Sequence, residues 1–298
     1  MSTYTQFVDG SQASFGGDEF IFVEAATDMD LEATLRVIAL TDAVSSAEIS
    51  GVTDICPAHI SYMVRIDPDI RDPREVLPIL EEIHKRKAQE SKLVIESRII
   101  EMPILYQDPW SHDVLMRFRD RHQDPNASDL EYCARINGFA SVDEFISAHS
   151  SRLHIATFVA FMPGNAECYQ LVPKDRQLEA PKYVRPRTDT PDRALGFGGA
   201  FSTIYPVQGA GGFQLLGRCA VPVYEAKQPF GPFEANALLP KGGDIFQYRP
   251  IDMGEYEEIR QQVEAGTYKY RIGVLEFDLS KFREDPIGYP QTLAEALP

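Results

Sequence analysis

The stretch ALGFGGAFSTIYP at residues 194–206 determines the fold that we expect for the second half of the chain. Its glycines are followed by Ser202-Thr203-Ile204-Tyr205, which is strand-like, and the sequence contains no GKS or GKT. A dinucleotide fingerprint needs a strand before the glycines and a helix after them, so this pattern argues against a nucleotide loop. The glycines instead indicate turns that need positive φ, or a floor on which backbone N–H groups approach a ligand.

Short apolar runs between turn signals recur on both sides of this stretch. They are Ile155–Met162, Phe201–Val207, Gly212–Leu216, Ala220–Tyr224 and Ile245–Tyr248. This spacing is typical of a β-barrel or a β-sandwich. Further along, a last helix is predicted near Glu255–Glu264, and the alternating segment Tyr268–Leu279 predicts a closing strand.

The first 105 residues alternate strand and helix patterns. The segments Phe20–Val23, Ile60–Ile66 and Leu93–Met102 are predicted strands. Helices are predicted to begin after Asp30 and, with proline in the first turn, after Asp72. The resulting order, βα–ββ–αβ, resembles a split βαβ sandwich.

Polar helical patterns connect the two halves. Asp129–Asn137 predicts a helix that ends at Gly138, and a capping-box pattern from Ser141 to Glu144 opens the next helix. The predicted fold class is therefore α+β. We expect an N-terminal split βαβ-like α/β domain over residues 1–105, a helical connector over 106–152 and a β-barrel domain over 153–298.

The charge balance restricts the partners. The sequence has 29 Lys and Arg against 45 Asp and Glu, a net charge of −16. Such an acidic chain disfavours nucleic acid and anionic membranes as partners, because both are negatively charged. The sequence contains no signal-peptide pattern and no apolar stretch near the ~20 residues of a membrane span, so we expect a cytoplasmic protein.

Metal chemistry is not indicated. The four cysteines, at positions 56, 133, 168 and 219, form no CxxC pair, so we expect four buried thiols rather than a zinc knuckle. His149 and His154 are five residues apart, which is poor helical geometry for one metal, and no HExxH motif occurs. No GxSxG elbow occurs either, so a hydrolase of that type is not supported.

Two segments of the second half carry candidate binding residues. Asn165 and Glu167 directly follow a Pro-Gly turn, either as part of a solvated turn or as a loop at a barrel mouth. The segment from Arg176 to Arg193 mixes basic and acidic residues. It is either a solvated loop or a cluster in which guanidinium groups hold a carboxylate, the usual partner of their fork geometry.

Beyond these local patterns, the sequence resembles the carboxyltransferase region of biotin-dependent urea carboxylase. The resemblance lies in KY at 182–183, RT at 187–188, TP at 190–191, ALGFGGA at 194–200 and, further on, IY, GGFQ and GR at 204–205, 211–214 and 217–218. RING at 135–138 matches an upstream segment. The wider family includes allophanate hydrolase subunit 1, the B subunit of 5-oxoprolinase and the sporulation kinase inhibitor KipI.

The resemblance implies a cyclophilin-like fold for the barrel and a heteromeric enzyme. In the family, this half works beside a second barrel subunit, and the pair transfers a carboxyl group to an amide-type nitrogen of a small substrate. The group comes from carboxybiotin, which a biotin carboxylase or carrier protein presents. This chain has no ATP-grasp domain and no Met-Lys-Met motif, so we expect that it binds no cofactor alone.

Two departures keep other functions open. Asn165 stands where most relatives have an aromatic residue, and Phe201 stands where many have glutamine. The loss of a polar group suited to an amide leaves urea in question as the substrate. A non-catalytic KipI-like regulatory or binding protein is one alternative, and a 5-oxoprolinase-type component that acts on a cyclic amide is another.

Roles follow for residues in the matching stretch. Three residues are expected to be catalytic: Arg187, Tyr205 and Arg218. We expect the two arginines to hold an anion and Tyr205 to form a hydrogen bond near the substrate. We expect Asn165 and Glu167 to select the substrate. Backbone N–H groups at four glycines are expected to hold an oxyanion: Gly198, Gly199, Gly211 and Gly212. The glycines and Tyr205 are equally compatible with a purely architectural role.

Overall fold

A computed structural model describes residues 4–227 and 230–298 of the chain. The chain divides into two compact units. The first unit is Met1–Glu96 with Glu276–Arg283, and the second is Ser97–Leu275 with Glu284–Pro298. The domain limits expected at residues 105 and 152 remain a prediction. No helix of the described residues is long and apolar enough to cross a membrane.

The first unit contains a five-stranded antiparallel sheet, in the order β1-β2-β3-β5-β4, and helices α1 and α2. Their bounds are β1 Thr5–Gln6, β2 Gln12–Gly16, β3 Phe20–Glu24, α1 Leu31–Ser46, β4 Val52–Pro57, β5 Ser61–Ile66 and α2 Pro73–Ala88. Both predicted helix starts are confirmed. The Asp30 carboxylate accepts from Ala33 N at 2.7 Å, and that of Asp72 accepts from Arg74 N at 2.8 Å.

The strand predicted at Leu93–Met102 does not complete this sheet, and that part of the prediction is wrong. The strand β6, Val94–Tyr106, pairs with strands of the second unit. The place beside β3 is taken by β2, with Gln12 opposite Glu24. From Ile99 to Tyr106 the strand is buried on both faces, a pattern that suits a barrel covered by helices rather than a sheet with one solvated face.

The second unit is a closed barrel of seven strands. The strand order is β13-β10-β11-β8-β7-β14-β6, and the ring closes between β6 and β13. The strand β15 pairs with β6 as an additional strand, so the prediction that this segment closes the barrel is wrong. The bounds are β7 Leu153–Val159, β8 Ala166–Gln170, β10 Ala194–Gly198, β11 Phe201–Ile204, β13 Gln214–Cys219, β14 Ile245–Pro250 and β15 Ile272–Asp278. Two further strands, β9 Arg187–Thr190 and β12 Gly209–Gly211, form a separate two-stranded ribbon. The predicted α+β class with a barrel is confirmed.

Helices α4 Asp129–Ile136, α5 Val142–Ser150 and α6 Met253–Glu264 contribute side chains to the barrel core. Further helices are α3 Pro109–Arg117, α7 Leu279–Glu284 and α8 Gly288–Ala294. Cys133 of α4 and Phe145 of α5 belong to the same buried cluster as Phe197 and Ile204 of the barrel. Residues 106–152 thus contribute to the core rather than only connecting two parts.

Three smaller predictions are corrected. The helix predicted near Glu255–Glu264 is α6 but not the last, because α7 and α8 follow and are too short to show a clear periodicity. The reciprocal capping box lies at Ser128, whereas at Ser141 the Glu144 carboxylate accepts from Ala140 N instead. Cys56 is exposed, because it lies on the edge strand β4.

Candidate functional site

The ribbon of β9 and β12 contains the first predicted anion-holding residue. Arg187 lies opposite Gly211 in the ribbon register, and Thr190 lies opposite Gly209. Gly211 in turn lies directly against the ring of Tyr205, since a Cβ at this glycine would be 2.7 Å from Tyr205 Cε1. The structure therefore brings Arg187 and Tyr205, both predicted from the sequence, into one small region.

The Arg187 side chain is a buried cation with unused donors. It is 0% exposed, and its guanidinium carbon lies 4.4 Å from the centre of the Tyr183 ring. Its Nε donates to Thr190 Oγ1 at 3.4 Å, whereas Nη1 and Nη2 have no hydrogen-bond partner among the described residues. Burial of a charge is costly unless the group is paired and hydrogen-bonded. The two nitrogens are therefore available to donate hydrogen bonds to an anion.

The charge of Arg187 is balanced through an aspartate on α4. Asp129 is 3% exposed and accepts from Tyr183 Oη at 2.6 Å and from Leu215 N at 2.5 Å. Burial raises the pKa of the Asp129 carboxyl, while the Tyr183 and Leu215 hydrogen bonds and the charge of Arg187 oppose the rise. Asp129 therefore fixes the ring on which the Arg187 guanidinium lies.

A histidine and a glutamine hold this aspartate in place. His122 Nε2 lies 2.9 Å from Gln214 Oε1 and 3.4 Å from Asp129 Oδ1. Gln214 Nε2 donates to Pro181 O at 2.7 Å, just before the segment that contains Tyr183. The hydrogen bonds thus join α4, β13 and the chain that leads into β9. Such satisfied buried networks make a local structure rigid.

Tyr205 lies on the outer face of the barrel, beneath the ribbon. It is 3% exposed, and burial raises the pKa of its hydroxyl, against the charge of Arg187 and a backbone hydrogen bond from Phe213. The hydroxyl is consequently protonated at neutral pH and can donate. Thr203 precedes it by two residues, and the buried Thr203 Oγ1 also has no partner among the described residues.

Aromatic rings occupy the space above Gly196 and Gly198 where side chains would otherwise stand. A Cβ at Gly198 would lie 2.7 Å from Phe213 Cδ1, and a Cβ at Gly196 would lie 2.8 Å from Tyr205 Cε2. The amine of Lys182 lies 4.6 Å from the centre of the Phe213 ring. These glycines therefore allow Phe213 and Tyr205 to approach the barrel wall.

Backbone groups at the neighbouring glycines are partly engaged. Gly199 N donates to Ala180 O at 2.7 Å, so this N–H already has a partner. Gly212 O accepts from Tyr183 N at 2.7 Å and so positions the tyrosine beside Arg187. Among the four predicted glycines, Gly211 has the most direct relation to the site, through Tyr205.

Arg218 lies in a different environment. Its Nε donates to Asp192 O at 2.9 Å, its Nη2 pairs with Asp192 Oδ1, and its guanidinium carbon lies 4.8 Å from the centre of the Trp110 ring. These groups line an open cleft of about 550 Å³ together with Arg117, Asp189 and Gln208. The partners of Arg218 are thus a carboxylate and an aromatic ring, and not the group around Arg187.

The two predicted substrate-selecting residues differ in their surroundings. Asn165 follows the turn between β7 and β8, is 2% exposed, and its Oδ1 has no partner among the described residues. Glu167 of β8 is half-buried; burial raises the pKa of its carboxyl, and Lys182 opposes this. The charge of Glu167 also acts on Tyr205. Glu167 is therefore electrostatically linked to the site.

Sequence reasoning missed the groups that hold the arginine. Tyr183 belongs to a matching motif that assigns it no role, and the sequence pattern marks Asp129 only as a helical residue. The sequence carries no signal for this role of Asp129, because its burial is a property of the folded chain. Among residues 4–227 and 230–298, no group of three or more His, Cys, Asp or Glu side chains is arranged to hold a metal ion.

The family to which the chain belongs follows from its match to a family model. Residues 12–231 match the carboxyltransferase domain, subdomain C and D. This match covers most of the chain, so the chain is a member of the carboxyltransferase domain family. The matched range includes Arg187, Tyr205 and Arg218, together with the residues that hold them.

The chain aligns with very different shares of the length of two curated relatives. The chain is 22% identical to urea amidolyase of Saccharomyces cerevisiae over 272 residues, which span 89% of this chain but 15% of the relative. It is 22% identical to the B subunit of 5-oxoprolinase from Bacillus subtilis over 256 residues, which span 83% of this chain and 95% of that relative. The chain is thus similar to a small part of one enzyme and to nearly all of one component of another.

A solved structure confirms the similarity of fold. The crystal structure of Kluyveromyces lactis urea carboxylase matches with a TM-score of 0.77 at 19% identity, over 100% of this chain and 27% of that chain. The urea amidolyase of Kluyveromyces lactis matches with a TM-score of 0.76 over 18% of its chain. At this level of identity the likeness concerns the fold.

Proposed function

We propose that this chain is one subunit of a urea carboxylase-like carboxyltransferase or amidolyase, in which Arg187 holds the carboxylate that is transferred. The observation that carries the proposal is the fully buried guanidinium of Arg187, with Nη1 and Nη2 unpartnered among the described residues. Two parallel N–H donors match the geometry of a carboxylate. The carboxyl group of carboxybiotin fits this donor pair, and a partner protein would present it.

The residues of this chain then have distinct tasks. Carboxybiotin supplies the activated carboxyl group when it is bound. The guanidinium of Arg187 stabilises the negative charge on that group through fixed donors in a dry environment. Tyr205, kept protonated by burial, donates a hydrogen bond beside it. Asp129 and Tyr183 hold the guanidinium in place while the ribbon is closed.

Access to Arg187 requires a movement of the ribbon, because the guanidinium is covered. The ribbon consists of β9, four residues long, and β12, three residues long. Because both strands are short, few backbone hydrogen bonds between them have to break in such a displacement. The proposal therefore includes opening of β9 and β12 when the anion binds.

The partners in this proposal are a second barrel subunit and a biotin carboxylase or carrier protein, and the substrate is a small molecule with an amide-type nitrogen. One alternative has specific support. The match to the B subunit of 5-oxoprolinase spans 95% of that relative, whereas the match to urea amidolyase spans 15%. The alternative function is therefore a component of an enzyme that acts on a cyclic amide.

Reconstitution tests both functions. The full chain is combined with the second barrel subunit from its native host and with a biotin carboxylase and carrier. Incorporation of ¹⁴C-bicarbonate into a product kept at alkaline pH, where an N-carboxylate is stable, is measured with urea and other small amides. Biotin-dependent incorporation that requires this chain supports the first function. ATP-dependent cleavage of 5-oxoproline without biotin supports the alternative. A complex that shows neither activity overturns both.

A further inference from the structure

A second polar centre of the barrel unit has Asp129 in its lining, as does the network around Arg187. A cavity of about 600 Å³ opens between the N-terminal ends of α3 and α4, and it falls within the size range of small-molecule sites. Six apolar residues line it: Pro109, Leu115, Leu130, Leu215, Leu216 and Met253. Half of its polar lining residues are acids, and the lining includes no lysine or arginine.

An aspartate with a free oxygen lies in this lining. Asp108 is 1% exposed and caps α3, with its Oδ1 accepting from Ser111 N at 2.9 Å. Its Oδ2 and the Ser111 hydroxyl are buried and have no hydrogen-bond partner among the described residues. Burial raises the pKa of the Asp108 carboxyl, against the hydrogen bond from Ser111 N and the charge of Arg218. An unpaired buried carboxylate oxygen is costly and calls for a donor.

Two of the other acids of the cavity are already engaged, and the remaining one, Asp113, is exposed. Asp129 uses both oxygens, for Tyr183 and Leu215, and Glu131 accepts from Ser128 N at 2.7 Å in the capping box of α4. Their charges nevertheless make the cavity negative. A ligand must therefore be cationic, and at the buried carboxylate of Asp108 it meets one free oxygen rather than two.

We infer that this cavity binds a small primary ammonium ion with a short alkyl chain. The ammonium donates to Asp108 Oδ2 and Ser111 Oγ, and the chain packs on the leucines and Met253. A guanidinium is disfavoured, because its fork needs both oxygens of a carboxylate and Asp108 Oδ1 is used by Ser111 N. A bare metal ion is disfavoured, because the described residues offer no cluster of three or more ligating side chains.

The test measures binding of n-butylammonium chloride to the full chain by isothermal titration calorimetry at low ionic strength. Sodium butyrate and n-butanol are the ligand controls. We expect saturable binding of the ammonium only, and an affinity that rises about fourfold for each methylene from methyl- to butylammonium. Butyrate binding as tight as the ammonium, or an affinity that does not change with chain length, would overturn the inference.

The matched variants are Asp108→Asn and Asp143→Asn. Asparagine caps a helix about as well as aspartate, so Asp108→Asn keeps the α3 cap but loses the charge. We expect it to weaken butylammonium binding by roughly 10- to 150-fold, the range for a charge-assisted hydrogen bond. Asp143 is an exposed acid in the first turn of α5, and its variant should bind as the wild type does. Equal binding by Asp108→Asn and wild type would contradict the inference.

A second variant covers the case in which Asp108→Asn does not fold. Ser111→Ala removes one acceptor from the cavity and keeps the cap, because the cap uses the Ser111 backbone N–H. We expect a smaller loss, about threefold to tenfold in affinity, at an unchanged melting temperature. Unaltered butylammonium binding by Ser111→Ala, together with no dependence on chain length, would overturn the assignment of the cavity.

Discussion

Arg187 and Arg218 belong to the same matching stretch, and the sequence assigns both to the same task, yet they lie in opposite environments. Arg187 is fully buried, and two of its nitrogens are unpartnered among the described residues. The Arg218 side chain is 11% exposed and pairs with Asp192, which is 43% exposed. Every guanidinium has the geometry to bind a carboxylate. The difference shows that neighbouring acids determine whether its donors remain available for a ligand.

The acids that accompany the two arginines explain this difference. Asp192 meets Arg218 and Arg193 directly, so its charge is neutralised at the rim of an open cleft. Asp129 acts on Arg187 only from a distance, through the ring of Tyr183. A guanidinium with a remote counter-charge keeps its donors for a third group. The following predictions test this contrast, from the largest expected effect to the smallest.

The largest effect is expected for Asp129→Ala. The change leaves the Tyr183 hydroxyl and the Leu215 N–H without their acceptor and removes the counter-charge of Arg187. Breaking a buried charge network by removing one member costs about 3–5 kcal/mol. Urea unfolding should show a loss of this size. Asp120→Ala, which removes an exposed ion pair with Arg185, is the control and should cost less than about 1 kcal/mol. A loss below about 1 kcal/mol for Asp129→Ala would show that the buried network is not needed.

The second prediction separates catalysis from stability at Arg187. Arg187→Met keeps the length and apolar bulk of the side chain, and Asp129 loses the charge of Arg187 but keeps its hydrogen bonds from Tyr183 and Leu215. We therefore expect a smaller loss of stability than for Asp129→Ala, while kcat/KM of the reconstituted complex falls roughly 10- to 150-fold. Arg187→Lys keeps the charge without the fork, and it should recover only part of the activity.

The outcome that would contradict this assignment is easily recognised. If Arg187→Met lowers stability and activity in proportion, Arg187 is structural. If Arg187→Met keeps full activity, the anion is held elsewhere, and Arg218 becomes the stronger candidate. In that case Arg218 would be the anion-holding residue and Arg187 a structural one.

The third prediction uses the pKa values of the two acids, which shift in opposite directions. Burial raises the pKa of Asp129, so its contribution to stability is complete below about pH 3.9 and declines as the pH rises through its folded pKa. Although burial of Asp192 acts the other way, its two arginines hold the pKa of that carboxyl below the ordinary value. Its contribution is present above about pH 3.9 and is lost as the pH falls through its folded pKa.

Carboxyl ¹³C chemical shifts measured against pH test these directions. The Asp129 signal should titrate at higher pH than a free aspartate, and the Asp192 signal at lower pH. Arg218→Ala should move the Asp192 titration upward and leave that of Asp129 unchanged. Coincident titration of the two acids would mean that their environments do not differ as described.

Local features of the fold can be predicted from the sequence, but partners distant in the chain cannot. The caps at Asp30 and Asp72 depend on a few adjacent residues, and both are confirmed. The destination of β6 depends on pairing with β14, about 150 residues later, which no local pattern encodes. In the site, the motif includes Arg187 and Tyr205, whereas their burial and the role of Asp129 arise only from tertiary packing. The glycines at 196 and 198 are visible in the sequence as a floor, but the ring of Phe213 that covers them is not.

The smallest effect is expected for Arg218→Ala. The substitution removes the stacking on Trp110 and one of two arginines on Asp192, while Arg193 Nε remains 2.8 Å from the Asp192 carboxylate. A partly exposed pair and a cation–π contact of this kind contribute about 1 kcal/mol together. For a chain of this size, that loss lowers the melting temperature by about 2–4 °C.

For the same variant we expect kcat/KM to stay within about twofold of wild type, because Asp192 already pairs with the Arg218 guanidinium. Trp110 fluorescence reports the local change, and Arg65→Ala, which removes an exposed ion pair with Glu19 in the first unit, serves as the control. A tenfold or larger loss of activity at an unchanged melting temperature would return Arg218 to the site and remove the contrast with Arg187.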